Sequence, residues 1–99
     1  MSDLEKEIIE KGLTAPRVTL ESINSKIKGT QYYVFPGTTV TVALIELENG
    51  SSVVGESACV SPENFDAELG RKFAYQNAFN KIWPLEGYLL KEKLNKESV

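Results

Sequence analysis

Two turn dipeptides set inside one β-rich stretch restrict this chain more than any other feature. From Gln31 to Val60 the residues are largely β-branched or aromatic, and Pro36-Gly37 and Asn49-Gly50 divide them into Gln31–Phe35, Thr38–Glu48 and Ser51–Val60. Runs of this length and chemistry separated by tight turns read as an antiparallel meander of three strands. Asn49-Gly50 is the sharper turn signal, because hairpin loops need backbone at positive φ and this pair tolerates it best. A two-residue type I′ loop would pair Glu48 with Ser51 and Ile45 with Val54. A type I turn followed by a glycine bulge would move the register by one residue. Apolar residues stand on both faces of these runs, so the alternation leaves both registers open.

Both flanks of the meander carry helical spacing instead. Leu4, Ile8 and Ile9 recur behind a Ser2-to-Glu5 capping box, and Gly12 and Pro16 end that segment. Leu20, Ile23 and Ile27 repeat the spacing behind Thr19 as N-cap, with Gly29 as the stop. After the meander, Ser61 followed by Pro62 predicts a helix start, with Glu63, Asp66 and Glu68 at the positive end of the dipole. Val60 and Phe65 are spaced for a hydrophobic staple across it. This helix is expected to reach Ile82 or Trp83, where Pro84 kinks or breaks it, and a last segment runs from Leu85 to about Leu94. The expected architecture is α+β: short N-terminal helices, a three-stranded antiparallel β-meander and a C-terminal helix kinked at Pro84 and packed on the sheet. At 99 residues the chain suits one domain, with a helical segment over 1–29, the meander over 30–60 and a helical segment over 61–95.

Composition narrows the chemistry. There is no histidine, which removes every mechanism that needs an imidazole as base, nucleophile or metal ligand. The single Cys59 can form neither an intrachain disulfide nor a thiolate zinc cluster, and fits a small buried hydrophobe in a reducing compartment. A formal charge of −3 disfavours nucleic-acid backbones, although Lys81, Lys91, Lys93 and Lys96 would serve if they lined one face. Residues 1–13 lack the apolar run of a signal peptide, so a cytoplasmic protein with no membrane partner is expected. No glycine-rich phosphate loop or serine elbow is present, and Glu63 and Asp66 read as capping carboxylates. The expectation is a protein that is not an enzyme and carries no cofactor or metal.

The main helical run poses one puzzle. Phe65, Leu69, Phe73, Phe79, Ile82 and Trp83 fall on one side at 100° per residue, and Lys72 and Gln76 fall in the middle of that stripe. Polar groups inside an apolar face need partners, since an unpaired buried amide costs about 1–3 kcal/mol. Either Lys72 snorkels past the sheet and Gln76 bonds a strand, or the two hold a small anionic or nucleotide ligand with Arg71 and Trp83. Arg71, Lys72, Gln76 and Trp83 are therefore the candidate ligand-binding residues.

Several longer stretches carry a family resemblance. Leu13-Thr14-Ala15-Pro16-Arg17-Val18-Thr19, Gly37-Thr38-Thr39-Val40-Thr41-Val42, the run from Val54 through Gly55-Glu56-Ser57-Ala58-Cys59-Val60-Ser61-Pro62-Glu63-Asn64-Phe65-Asp66 to Lys72, and Ile82-Trp83-Pro84-Leu85-Glu86-Gly87-Tyr88 together resemble a small family of tailed-phage and prophage proteins. That family takes its name from gene product 49 of one phage and gene 66 of another. The resemblance, over about Leu13 to Leu90, implies a phage or prophage gene expressed in a bacterial cytoplasm and implies little about activity. A short antiparallel sheet followed by a kinked helix is also similar to viral anti-defence sponges, which oligomerise and sequester cyclic-nucleotide or cyclic ADP-ribose signals. None of their ligand residues maps onto this sequence position by position. The resulting expectation is a phage accessory protein that acts by binding, as a homodimer or higher homo-oligomer. It either sequesters a host nucleotide second messenger or docks on a host or phage protein.

Overall fold

The computed structural model describes residues 16–97, so the first expected helix, around Leu4, Ile8 and Ile9, lies outside the described residues. The order is helix α1 (Leu20–Asn24), strands β1 (Ile27–Val34), β2 (Val40–Leu47) and β3 (Ser52–Ala58), a 3-10 turn (Pro62–Asn64), and helices α2 (Ala67–Phe79) and α3 (Ile82–Glu97). This is the expected α+β architecture. The chain divides into two compact units, one spanning Lys26–Ile82 and the other holding the described residues up to Ser25 together with those from Trp83.

In the second of these units, α1 opens on the expected cap. The Ser22 N–H donates to Thr19 Oγ1 at 3.0 Å, and the Thr19 N–H donates to Ser22 Oγ at 2.9 Å, a reciprocal capping box. The helix ends sooner than the spacing of Leu20, Ile23 and Ile27 implies. Ser25 closes it, and the Glu48 N–H donates to the Lys26 carbonyl at 2.8 Å, drawing the next residues into the sheet. Ile27 thus begins β1, and Gly29 marks a bulge between Ile27 and Gly29 instead of a helix stop.

The unit Lys26–Ile82 is a meander in the order β1-β2-β3 with α2 over β2 and β3. The Asn49-Gly50 turn takes the bulged form. Only Gly50 has positive φ (90°), its N–H donates to the Leu47 carbonyl at 3.0 Å, and the Leu47 N–H donates to the Ser51 carbonyl at 2.8 Å. Ile45 therefore pairs with Val53 and Glu46 with Ser52, one residue away from the type I′ register. This register turns Thr41, Ala43, Ile45 and Leu47 of β2, with Val53 and Gly55 of β3, toward α2.

The helix meets them with a face other than the expected one. Ala74, Ala78 and Phe79 are buried, whereas Leu69 and Phe73 are 48% and 61% exposed. The deciding contact is at Gly55. A Cβ there would lie 2.1 Å from the Ala78 nitrogen and 2.4 Å from the Ala74 carbonyl oxygen, so the helix backbone rests directly on the strand. Gly70, Ala74 and Ala78, spaced at four residues, form the ridge that allows this approach. The Thr41 hydroxyl, buried without a hydrogen-bond partner, lies under Gly70, where a Cβ would sit 2.9 Å from it. Bulky Leu69 and Phe73 are turned aside as a result, and Phe79 and Ile82 close the core beyond the ridge.

The start of α2 also differs. Ser61 gives no side-chain cap; its hydroxyl donates to the Glu63 carboxylate, which holds that carboxyl below the usual range. Pro62–Asn64 makes only one 3-10 turn, and Phe65 is extended. Asp66 is the true N-cap, accepting from the Glu68 and Leu69 N–H groups at 2.9 and 3.1 Å. With the helix starting later, Val60 is fully exposed and makes no staple. Pro84 interrupts the C-terminal helix as expected, one turn upstream of itself. Its ring excludes the Asn80 carbonyl and it has no N–H to donate, so α2 stops at Phe79 and α3 restarts at Ile82. Pro84 then occupies the first turn of α3, where a missing donor costs little.

Gly55→Ala is expected to destabilise the protein by about 3 kcal/mol or more, because neither neighbouring group is a side chain that can move aside. Thermal unfolding followed by circular dichroism should show Tm lowered by more than about 10 °C.

Candidate functional site

The β1–β2 register pairs Tyr32 with Ala43, which sets Tyr32 on the sheet face that α2 covers. On α2, Glu68, Arg71, Lys72, Tyr75 and Gln76 share a second face at spacings of three and four. The ridge on Gly55 turns this face past the sheet toward the outer strand. Tyr32 and these five side chains line an open groove of about 420 Å³.

The structure thus brings Arg71, Lys72 and Gln76 together, as the spacing implied, and resolves the puzzle of their position. All three are exposed, so none is a polar group stranded in a core. Lys72 pairs with Glu68 at 3.6 Å across one helical turn, and the Gln76 amide donates to Asn80 Oδ1 at 2.8 Å. Arg71 makes no ion pair among the described residues. Trp83 does not line the groove; it lies in α3, in the other unit. Tyr32 and Tyr75 supply the aromatic surface instead. Burial is the larger cause that raises the Tyr75 phenol above its ordinary value, and the neighbouring Tyr32 adds to it. Tyr75 therefore remains an O–H donor at neutral pH. The groove combines a planar guanidinium, an ammonium, a phenol donor and two ring faces, which suits an anion that also carries an aromatic or ribose group.

A second concavity, of about 190 Å³ and largely apolar, lies between the end of β3 and the start of α2. Phe65, Leu69 and Phe73 form one wall and Ala58 and Cys59 the other. Cys59 is held in place on three sides: its N–H donates to Thr39 Oγ1 at 3.2 Å, its carbonyl accepts from that hydroxyl at 2.5 Å, and its Sγ donates to the Ser61 carbonyl at 3.2 Å. It is a half-buried packing residue tied into the loop. Among the described residues, no group of acidic, cysteine or histidine side chains is placed to hold a metal ion.

The fold defines a small α+β protein: a three-stranded meander with one helix across it and a cationic, tyrosine-lined groove beside its outer strand. The chain belongs to the phage protein (N4 Gp49/phage Sf6 gene 66) family, whose model matches residues 18–94. This is the family that the Gly37–Val42, Val54–Lys72 and Ile82–Tyr88 stretches resemble. No curated protein and no solved structure gives a significant match. No helix among the described residues is long and apolar enough to cross a membrane.

A phenol whose pKa is raised by folding adds stability below its ordinary value, and that contribution is lost as pH rises through the folded value. Tyr75→Phe should accordingly move alkaline unfolding to higher pH. In a phenolate absorbance titration of the folded protein, the same variant should lose a step that lies above the ordinary phenol range.

Proposed function

We propose that this phage protein acts by binding, and that the groove takes a phosphate-bearing nucleotide, so that the protein sequesters a nucleotide signal of its host. One observation carries the reading: Arg71 and Lys72 share a single groove with the ring faces of Tyr32 and Tyr75. Guanidinium and ammonium groups neutralise phosphate, the guanidinium with paired hydrogen bonds. Tyrosine rings stack on bases in a way that tolerates different sequences and ring systems. Binding without turnover is consistent with a sequence that holds no histidine. A protein that only sequesters needs affinity and copy number, and both fit a small domain.

Native mass spectrometry of the purified protein, alone and with a panel of cyclic dinucleotides, cyclic trinucleotides and cyclic ADP-ribose isomers, tests this directly. A stoichiometric adduct with at least one of them is expected. Arg71→Ala and Lys72→Ala should each weaken it by roughly ten- to hundredfold, the usual value of a charge-assisted hydrogen bond. Folded protein that forms no adduct across the panel would overturn the reading.

A second reading has its own observation. Leu69 and Phe73 stand 48% and 61% exposed beside the apolar concavity, with Phe65 on the extended segment before the helix. Large apolar side chains grouped at four-residue spacing on a helix surface are a common docking ridge for a protein partner. On this reading Phe73→Ala removes a host protein that co-purifies with the wild type and leaves Tm within about 2–4 °C, as expected for a truncation outside the core. Unchanged co-purification would count against it.

A further inference from the structure

The two edges of the sheet are unlike. On β3, the Asn77 side chain donates to the Glu56 carbonyl at 2.8 Å and Lys81 Nζ, just past the end of α2, donates to the Val54 carbonyl at 2.6 Å, so two outward carbonyls of that edge are already taken. On β1, Phe35 bonds inward to Val40, and by alternation Tyr33 and Gln31 do the same. The backbone groups of Thr30, Tyr32 and Val34 point outward and have no partner among the described residues. Open backbone groups along a strand edge are a template for another extended chain.

We propose that a second copy of this chain supplies it. Two β1 strands pair antiparallel about a two-fold axis at Tyr32, giving a six-stranded sheet. The choice of centre follows from the strand itself. The bulge between Ile27 and Gly29, together with Lys28, spoils one end for pairing, and Pro36 lies just past the other. The regular stretch that remains, Thr30–Val34, is symmetric about Tyr32. It sets Thr30 opposite Val34, Gln31 opposite Tyr33 and Tyr32 opposite itself, an aromatic pair at the axis with β-branched residues at the ends of the paired stretch. Lys28, the only charged residue of β1, falls outside the paired stretch, so no like charges meet. A two-fold axis also keeps both α2 helices on the same face of the joined sheet.

The pairing completes the groove, and this consequence rests on the nucleotide reading given above. Because α2 lies over β2 and β3, Tyr32 forms a ledge at the open margin of the sheet and is 43% exposed. In the dimer the two ledges meet as one floor, with a helix along each side. With strands about 4.8 Å apart and helices about 10 Å thick, the trough between the helices is about 10 Å wide, enough for one base-bearing ligand. Each copy contributes Tyr32, Arg71, Lys72 and Tyr75. Cationic groups outnumber Glu68 along both walls, so an anion in the trough relieves their repulsion, and ligand and dimer stabilise one another.

Sedimentation velocity of the full-length protein without ligand reads the pairing by itself, and a dimer is expected. Thr30→Pro removes one outward N–H and none of the bonds to β2, so it should give a folded monomer. Tyr32→Cys combined with Cys59→Ser should cross-link through a disulfide on mild oxidation, because the two Cα atoms would lie about 5.5 Å apart. If Thr30→Pro fails to fold, the cross-link decides. A wild type that stays monomeric at every concentration overturns the proposal, as does a dimer that neither cross-links through position 32 nor responds to Thr30→Pro. Cross-linking through position 32, together with wild-type protein that gives no nucleotide adduct, supports the pairing and sinks only the nucleotide reading. A nucleotide adduct confined to monomer sinks the pairing and leaves that reading standing.

Discussion

The fold depends on the contact between Gly55 and the backbone of α2. Helices usually meet a sheet through side chains, and here the absence of one lets the helix backbone at Ala74 and Ala78 rest on the strand itself. Much else follows from that approach. It lets Ser57 reach the Gly70 carbonyl at 2.7 Å, brings Asn77 and Lys81 within reach of the β3 carbonyls, and turns Leu69 and Phe73 away from the core. It also sets the rotation of α2, and with it the face that carries Arg71, Lys72 and Tyr75 beside the outer strand.

That rotation explains why the site was only half legible in the sequence. The spacing of Arg71, Lys72 and Gln76 puts them on one helical face whatever the helix packs against, so their grouping could be read directly. Their surroundings could not. The large side chains Phe65, Leu69 and Phe73 and the small ridge Gly70, Ala74 and Ala78 are both regular at helical spacing. Which one is buried depends on Gly55, fifteen residues and one loop before Gly70. Tyr32 comes from further still, since its place beside α2 depends on the pairing of β1 with β2. Trp83 looked like a neighbour because it continues the stripe by sequence, but the helix that would carry the stripe ends at Phe79.

Elsewhere the local signals were read correctly where one residue settles the matter and missed where two compete. Thr19 has no rival as cap of α1. Asn49-Gly50 guarantees a turn, yet serves the type I′ and the bulged hairpin equally, and one glycine at positive φ is all the bulged form requires. Ser61 and Asp66 are both good caps, and the extended backbone at Phe65 hands the helix to the second. Gly29 can end a helix or mark a bulge, and the pull of Leu47 on Ile27 across the sheet chose the bulge. In each case the deciding partner lies outside the window that local propensity can see.

The two occupied carbonyls of β3 bear on how any assembly through the sheet edges would grow. A sheet with two bare edges adds copies without end, because every addition presents the same edge it has just consumed, and the product is a fibre. With Asn77 on the Glu56 carbonyl and Lys81 on the Val54 carbonyl, a strand added beside β3 would have to displace both side chains, so the two edges are not equivalent. Two exposed side chains, neither of them in the core or the groove, thereby weigh against open-ended addition at that edge.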